Sequence, residues 1–254
     1  MRRGVPLRRL TPIPGTLPAF APPPLLDSTL PPFPGFRPEA FDFLRELKAN
    51  NDRAWFKARK ATFDDELAWP MSCLVEQLGR ELPARGVPLT GDPARAVFRI
   101  YRDTRFSANK EPYKTHLAAY LTRSGDRKED GGLYIHAGAD ECVVGAGFWN
   151  SDPALVRRWR ERLAAAPAEF LDAVASMEGE GLEMRAQEPL KRMPRGYEGH
   201  ADAAAAPWLR AKGIFAAQKL TEAQAGAPQF ANSVADVAEA AMPLLRWGWA
   251  LVDG

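Results

Sequence analysis

Cysteine, histidine and long apolar runs are all scarce in this chain. Two cysteines, Cys73 and Cys142, stand among 254 residues, which is neither a disulfide framework nor a tetrahedral zinc set. The three histidines, His116, His136 and His200, are far apart, and none has a neighbour at metal-ligand spacing. No metal and no cofactor is therefore expected. No apolar run comes near the roughly 20 residues that a membrane helix needs, so no helical membrane span is expected. An excess of charge is missing too, with 34 Lys+Arg against 32 Asp+Glu. Arg2, Arg3, Arg8 and Arg9 face Asp27 alone in the first 36 residues, so the rest holds 30 basic and 31 acidic side chains. A broad nucleic-acid face normally shows as a basic excess in the folded part, so nucleic acid is disfavoured as a partner. Catalytic signatures are lacking as well: there is no G-x-S-x-G elbow, and neither cysteine has a flanking motif. Gly145 and Gly147 flank Ala146 without a phosphate-loop lysine and read as a bulge or tight strand packing. What is present is a 46% hydrophobic fraction, ample for a core and against wholesale disorder. The expectation is a soluble protein of the cytoplasm.

Proline divides the chain. Ten of the 23 prolines fall in the first 35 residues, including Pro22-Pro23-Pro24 and Pro31-Pro32. Proline removes a backbone donor and fixes φ, so residues 1–34 are expected to be a disordered proline-rich extension. The remainder, 35–254, reads as one domain. Pro38 can start a helix on which Phe41, Leu44 and Leu47 share a face. Asn50-Asn51-Asp52 ends it and can cap a second helix from Arg53, which Pro70 should kink or restart before Leu82. Ala96–Arg102, Leu117–Thr122, Leu133–Ala137 and Cys142–Ala146 read as short successive strands, which argues for antiparallel pairing. Asp152-Pro153 opens a helix with Leu155, Trp159 and Leu163 inward, and Arg157, Arg158, Arg160 and Arg162 as its solvated face. Another helix spans Ala168–Met177. A loop-rich stretch from Gly179 to Gly199 follows, Ile214–Leu220 returns to the sheet, and Pro228–Val252 is a closing helix. The expected fold class is α+β, with a central, mostly antiparallel sheet packed by N-terminal and C-terminal helices.

The chemistry concentrates between Arg99 and Lys114, where Arg99, Arg102, Arg105, Lys110 and Lys114 meet Asp103 and Glu111. Strand alternation puts Phe98, Ile100 and Arg102 on one face and Arg99, Tyr101 and Asp103 on the other. A loop with several cations and hydroxyls at a strand end can cradle a phosphate or carboxylate. Arg102, Arg105, Lys110 and Lys114 are the candidate anion ligands, and Ser107, Asn109 and Tyr113 their polar support. The competing reading is an internal ion-pair network of Arg102, Asp103 and Arg105 that pins the loop. A nearby arginine lowers an aspartate's pKa, so Asp103 suits orienting an arginine better than taking a proton.

Three motifs then carry a resemblance. N-N-x-R-x-W-F (Asn50 to Phe56), R-D-x-R-F-S-x-N-K-x-P-Y-K (Arg102 to Lys114) and L-K-R-x-P-x-G-Y (Leu190 to Tyr197) together resemble the conserved hypothetical family catalogued as domain of unknown function 2461. The resemblance runs from about Phe33 to the C-terminal helix. It implies no activity, since the family has none to carry over. The family pattern most often has Asp where this chain has Asn109, so no carboxylate role is assigned there.

The third motif adds Lys191, Arg192 and Arg195, with Tyr197 behind them. Folded against the central loop, Lys191 and Arg192 would complete one basic pocket. Such a pocket in a near-neutral body suits a small anionic ligand. The reading that follows is a cleft in an enzyme or binding protein for a small phosphorylated or carboxylated molecule. The alternatives are a nucleic-acid module, with Tyr101, Phe106 and Tyr113 stacking on bases, and a protein-interaction scaffold. No nucleophile or base completes the set, so no catalytic residue is assigned. His136 with Asp140 and Glu141 reads as a solvent-facing strand histidine rather than an ion site.

Overall fold

The computed structural model describes residues 30–149 and 151–254. The expected proline-rich extension therefore lies, up to residue 29, outside the described residues. Core packing is already present at Phe33, which is buried and meets Phe36 and Phe230 with ring centroids 5.2 and 5.9 Å away.

Helix α1 (Pro38–Ala49) starts on a proline and buries Phe41, Phe43, Leu44 and Leu47. Asp52 caps α2 (Arg53–Ala58), its carboxylate accepting from the N–H groups of Ala54 and Trp55 at 2.8 and 2.9 Å. A short α3 (Lys60–Phe63) leads through a π-turn at Asp64–Ala68 into α4 (Trp69–Ala84). Pro70 has no N–H for the Glu66 carbonyl, and the chain responds with a wider turn in which Trp69 N–H bonds to Asp64 O. The expected interruption is thus absorbed without a break between elements. Buried Glu66 is held by the Arg37 guanidinium.

Five antiparallel strands follow: β1 (His116–Thr122), β2 (Gly132–Gly138), β3 (Cys142–Phe148), β4 (Glu183–Gln187) and β5 (Gly213–Leu220), in spatial order β1-β2-β3-β5-β4. Before, between and after them come α5 (Pro93–Ala96, before β1), α6 (Pro153–Ala165), α7 (Pro167–Gly179), α8 (Ala206–Arg210), α9 (Glu222–Ala225), α10 (Phe230–Ala240) and α11 (Met242–Val252). The chain is α+β, as its pattern of apolar spacing indicated.

Three local expectations are corrected. Ala96–Arg102 is not a strand: Asp92 and Pro93 nucleate α5, and the residues after it make only isolated bridges, Val97 to Ala119 of β1 and Tyr101 to Tyr113 ahead of β1. The stretch read as loop from Gly179 contains the edge strand β4, whose Met184 and Ala186 pack on the core while Glu183 and Arg185 point the other way. The closing helix is two helices, because Pro243 cannot donate to Glu239 and the chain turns at Ala241.

Alternation gives the sheet two unlike faces. Leu117, Ala119, Leu121, Leu133, Ile135, Val144, Ala146, Phe148, Ile214 and Ala216 form the first, and α4, α10 and α11 pack on it. Each fully buried Leu, Ile, Val or Phe among them contributes about 1.5–3 kcal/mol of transfer free energy. The second face carries His116, Ala118, Tyr120, Tyr134, His136, Val143 and Phe215; of these only Ala118 is fully buried. Trp149, 53% exposed, lies beside Phe215 at 4.8 Å.

Candidate functional site

The Arg102–Lys114 loop stands at the start of β1, on the outer edge of the sheet. Its base is firmly held. Tyr113 is buried and stacked on Phe56 with centroids 4.1 Å apart, and burial pushes its phenol pKa up. Asn51 grips the same residue through its main chain, Nδ2 donating to Tyr113 O and Oδ1 accepting from Tyr113 N–H, both at 3.1 Å. The first and second motifs are therefore one structural unit.

The tip of the loop is an ion-pair network. Arg105 lies on Asp103 with Nη2–Oδ2 2.7 Å and Nε–Oδ1 3.0 Å, which lowers the Asp103 carboxyl to about 2. Arg102 pairs with Glu111 at 3.2 Å rather than with Asp103. Lys110 Nζ donates to the Thr104 carbonyl at 2.9 Å. Asn109 donates to the Glu111 carboxylate at 2.8 Å and accepts from Glu111 N–H at 2.9 Å. An aspartate at 109 would set two carboxylates against each other, so the amide suits Glu111 here. The half-buried Ser107 has its N–H 3.4 Å from Thr104 O. Phe106 projects from this tip with 96% of its surface exposed.

The third motif is elsewhere. Leu190 N–H bonds to Arg210 O just past the end of β4, and Lys191, Arg192 and Arg195 are exposed with no ion pair among the described residues. Tyr197 is half-buried near Arg160, whose guanidinium donates to the Leu209 and Ala211 carbonyls at 2.8 and 3.2 Å. Arg160 is thus not part of a solvated face. β1 and β4 form opposite edges of the sheet, four strand spacings or about 19 Å apart. The central loop enters at the start of β1, and the third motif leaves past the end of β4, which the register aligns with the end of β1. The two basic loops occupy diagonally opposite corners, so Lys191 and Arg192 do not join Arg102, Arg105 and Lys110 in one pocket.

Lys114 differs from the other cations of its motif. It sits half-buried with Nζ 5.3 Å from the centre of the Phe98 ring. Arg127, from the turn between β1 and β2, places its guanidinium carbon 4.9 Å from the same ring. Neither these two nor nearby Arg99 makes an ion pair among the described residues. Burial lowers the Lys114 pKa, and the charges of Arg127 and Arg99 lower it further. Two residues on, and on the same open face, His116 stacks on His136 with centroids 4.3 Å apart. Burial, then His136 and Lys114, hold His116 down to about 4. Burial lowers His136 too, and the Tyr134 hydroxyl lies 3.2 Å from its Nδ1. His136 is half-buried in this stack rather than facing solvent, while Asp140 and Glu141 are taken by Lys48 and Lys219 at 2.8 and 2.9 Å. Among the described residues no three metal-ligating side chains converge. Arg127 also lines a cleft of about 460 Å³ between the Thr90–Arg95 segment and the β1–β2 turn.

The sequence model of a family of conserved hypothetical proteins, DUF2461, matches residues 39–247. The chain belongs to DUF2461. The match reaches from α1 into α11 and so takes in both corners and the open face. No curated protein and no solved structure matches the chain. Membership in DUF2461 bears out the resemblance of the three motifs and brings no chemistry with it. No helix among the described residues is long and apolar enough to cross a membrane.

Sequence reasoning named Lys114 and missed Arg127, His116 and Tyr134 as its neighbours. Strand alternation alone puts His116 with Tyr120, and Tyr134 with His136. Bringing the four onto one surface takes the register across the Arg123–Gly131 turn, which no local signal specifies.

Proposed function

We propose that this DUF2461 protein binds a small anion on the open face of its sheet, where Lys114, Arg127 and Arg99 converge. One observation carries this reading. The tip cations Arg102 and Arg105 are neutralised by Glu111 and Asp103, whereas Lys114 and Arg127 flank Phe98 with no acidic partner among the described residues. Like charges gathered beside a half-buried surface repel one another, and an anion relieves that repulsion. Lys114 supplies a point charge and the arginines a planar fork, the usual means of holding phosphate or carboxylate.

Thermal unfolding with sulfate, phosphate, citrate and sugar phosphates tests it. A ligand at 100 times its Kd stabilises by about 2.7 kcal/mol. In a domain of this size that raises Tm on the order of 5–10 °C. The rise should vanish in Lys114→Ala and Arg127→Ala and persist in Arg105→Ala. Loss of the rise in Arg105→Ala, with Arg127→Ala unaffected, would move the site to the loop tip.

A second reading has the exposure of Phe106 and of Tyr101, which is 55% exposed, in its favour: single-stranded nucleic acid stacked on those rings. Tyr113, buried on Phe56, is no stacking platform. Binding of this kind weakens steeply with salt, by about 0.7 log units per decade for each phosphate contact. Salt-insensitive oligonucleotide binding, or none, counts against it.

A further inference from the structure

The open face brings two features within reach of each other: a cluster of cations without acids and a stacked pair of imidazoles. We propose that the site takes a doubly charged oxyanion, such as a phosphomonoester, together with one proton from solvent, and that His116 accepts that proton. This deepens the anion-binding reading and rests on it.

The groups that face His116 set the balance. Just before its own strand, Lys114 lies two residues away and close enough for its charge to act on the ring. From the segment before β1 comes Arg99, and from the β1–β2 turn Arg127, both close to Lys114. From β2 comes His136, stacked at 4.3 Å, with Tyr134 beyond it. The carboxylate whose charge acts on His136 is Glu141, just before β3, and Lys219 holds it at 2.9 Å. In the empty site burial first, and then the His136 ring and the charge of Lys114, keep His116 neutral. A dianion held by Lys114 and Arg127 reverses the charge part of that balance, and beside a half-buried ring its negative charge offsets the cost of burial and favours a proton on His116. The second ring is less suited to accept it. His136 Nδ1 is engaged with the Tyr134 hydroxyl, and a hydroxyl that donates there favours the neutral ring. A singly charged anion leaves the site with an excess of positive charge and gives His116 less reason to ionise.

Linkage sets the sign of the effect. If the bound form of His116 holds its proton more tightly than the empty form, binding consumes protons. Affinity then rises as pH falls through the interval between the two midpoints, by at most about tenfold per pH unit for one proton.

Sulfate is the probe, because it stays doubly charged from pH 4.5 to 8 and adds no titration of its own. The His116 ring protons of the full chain are followed by NMR against pH, in sulfate and in chloride at equal ionic strength. Sulfate affinity is measured alongside at pH 7.5 and 4.5. The expected result is a His116 midpoint that rises from about 4 in chloride by at least about one unit in sulfate. Sulfate should bind more tightly at the lower pH, and His116→Gln should abolish that dependence. Sulfate binding with an unmoved His116 midpoint overturns proton uptake and leaves the anion reading standing. Chloride binding as tight as sulfate overturns the doubly charged class. Absence of sulfate binding at every pH overturns the anion reading of this face, and this inference with it.

Discussion

Asn51 of the first motif and Arg105 of the second belong to one structural unit and carry very different weight. The Asn51 amide satisfies both main-chain groups of Tyr113 from 62 residues away, in a half-buried setting. Asn51→Ala leaves that N–H and carbonyl without their partner, at a cost of about 1–3 kcal/mol, which urea unfolding would read. Asn51→Asp should be worse at neutral pH, because a carboxylate oxygen then faces the Tyr113 carbonyl. Arg105, by contrast, pairs with Asp103 where both side chains are mostly in water. Solvent screens such a pair, so Arg105→Ala should leave Tm unchanged within error. Sequence reading placed Asn51 at a helix boundary, where it is, and its neighbour Asp52 is the cap. The reach to Tyr113 was illegible, because it depends on how α1 and β1 come together.

At the scale of elements, close backbone approach decides where α11 rests. Gly248 lies so near Phe148 of β3 that an added Cβ would sit 2.1 Å from the ring. Gly248→Ala should therefore push helix and sheet apart and cost about 1–3 kcal/mol, with a matching fall in Tm. Phe148 is itself buried against Gly131, where an added Cβ would come within 2.5 Å of the ring. The longer helices and four of the strands were legible because apolar spacing and Pro, Asp and Gly punctuation are local. β4 was not, since Glu183-Met184-Arg185-Ala186-Gln187 has no β-branched residue and becomes a strand only by pairing with β5. The joint at Ala241 was marked by Pro243, and continuous apolar spacing on both sides of it hid the marker.

Over the whole molecule, two imidazoles kept neutral make stability depend on pH. His116 and His136 both bind protons less readily when folded than when unfolded. The unfolded chain takes those protons near pH 6.5 and the folded one only at lower pH, about 4 for His116. Their contribution is complete above about pH 6.5 and declines as pH falls toward 4, by at most about 1.4 kcal/mol per pH unit for each ring. Unfolding by urea at pH 7.0, 5.5 and 4.5 should show that decline, and His116→Gln should make it shallower. Depressed carboxylates such as Asp103 and Glu141 act in the same direction at still lower pH. A flat profile from pH 7 to 4.5 would mean that the rings are charged in the folded state.

Length, composition and local pattern determined the α+β class, most element positions, the family motifs and the presence of a basic loop. Each of these depends on residues close together in the chain. Strand order and register decided the rest. They separated the two basic loops to opposite corners, left Arg102 and Arg105 to their own carboxylates, and gathered Lys114, Arg127, His116, His136 and Tyr134 on one open face. Those five come from three segments, β1 with the residue pair before it, β2, and the turn between them. Only pairing across the sheet sets which side chains share a surface, and no spacing along the chain records it.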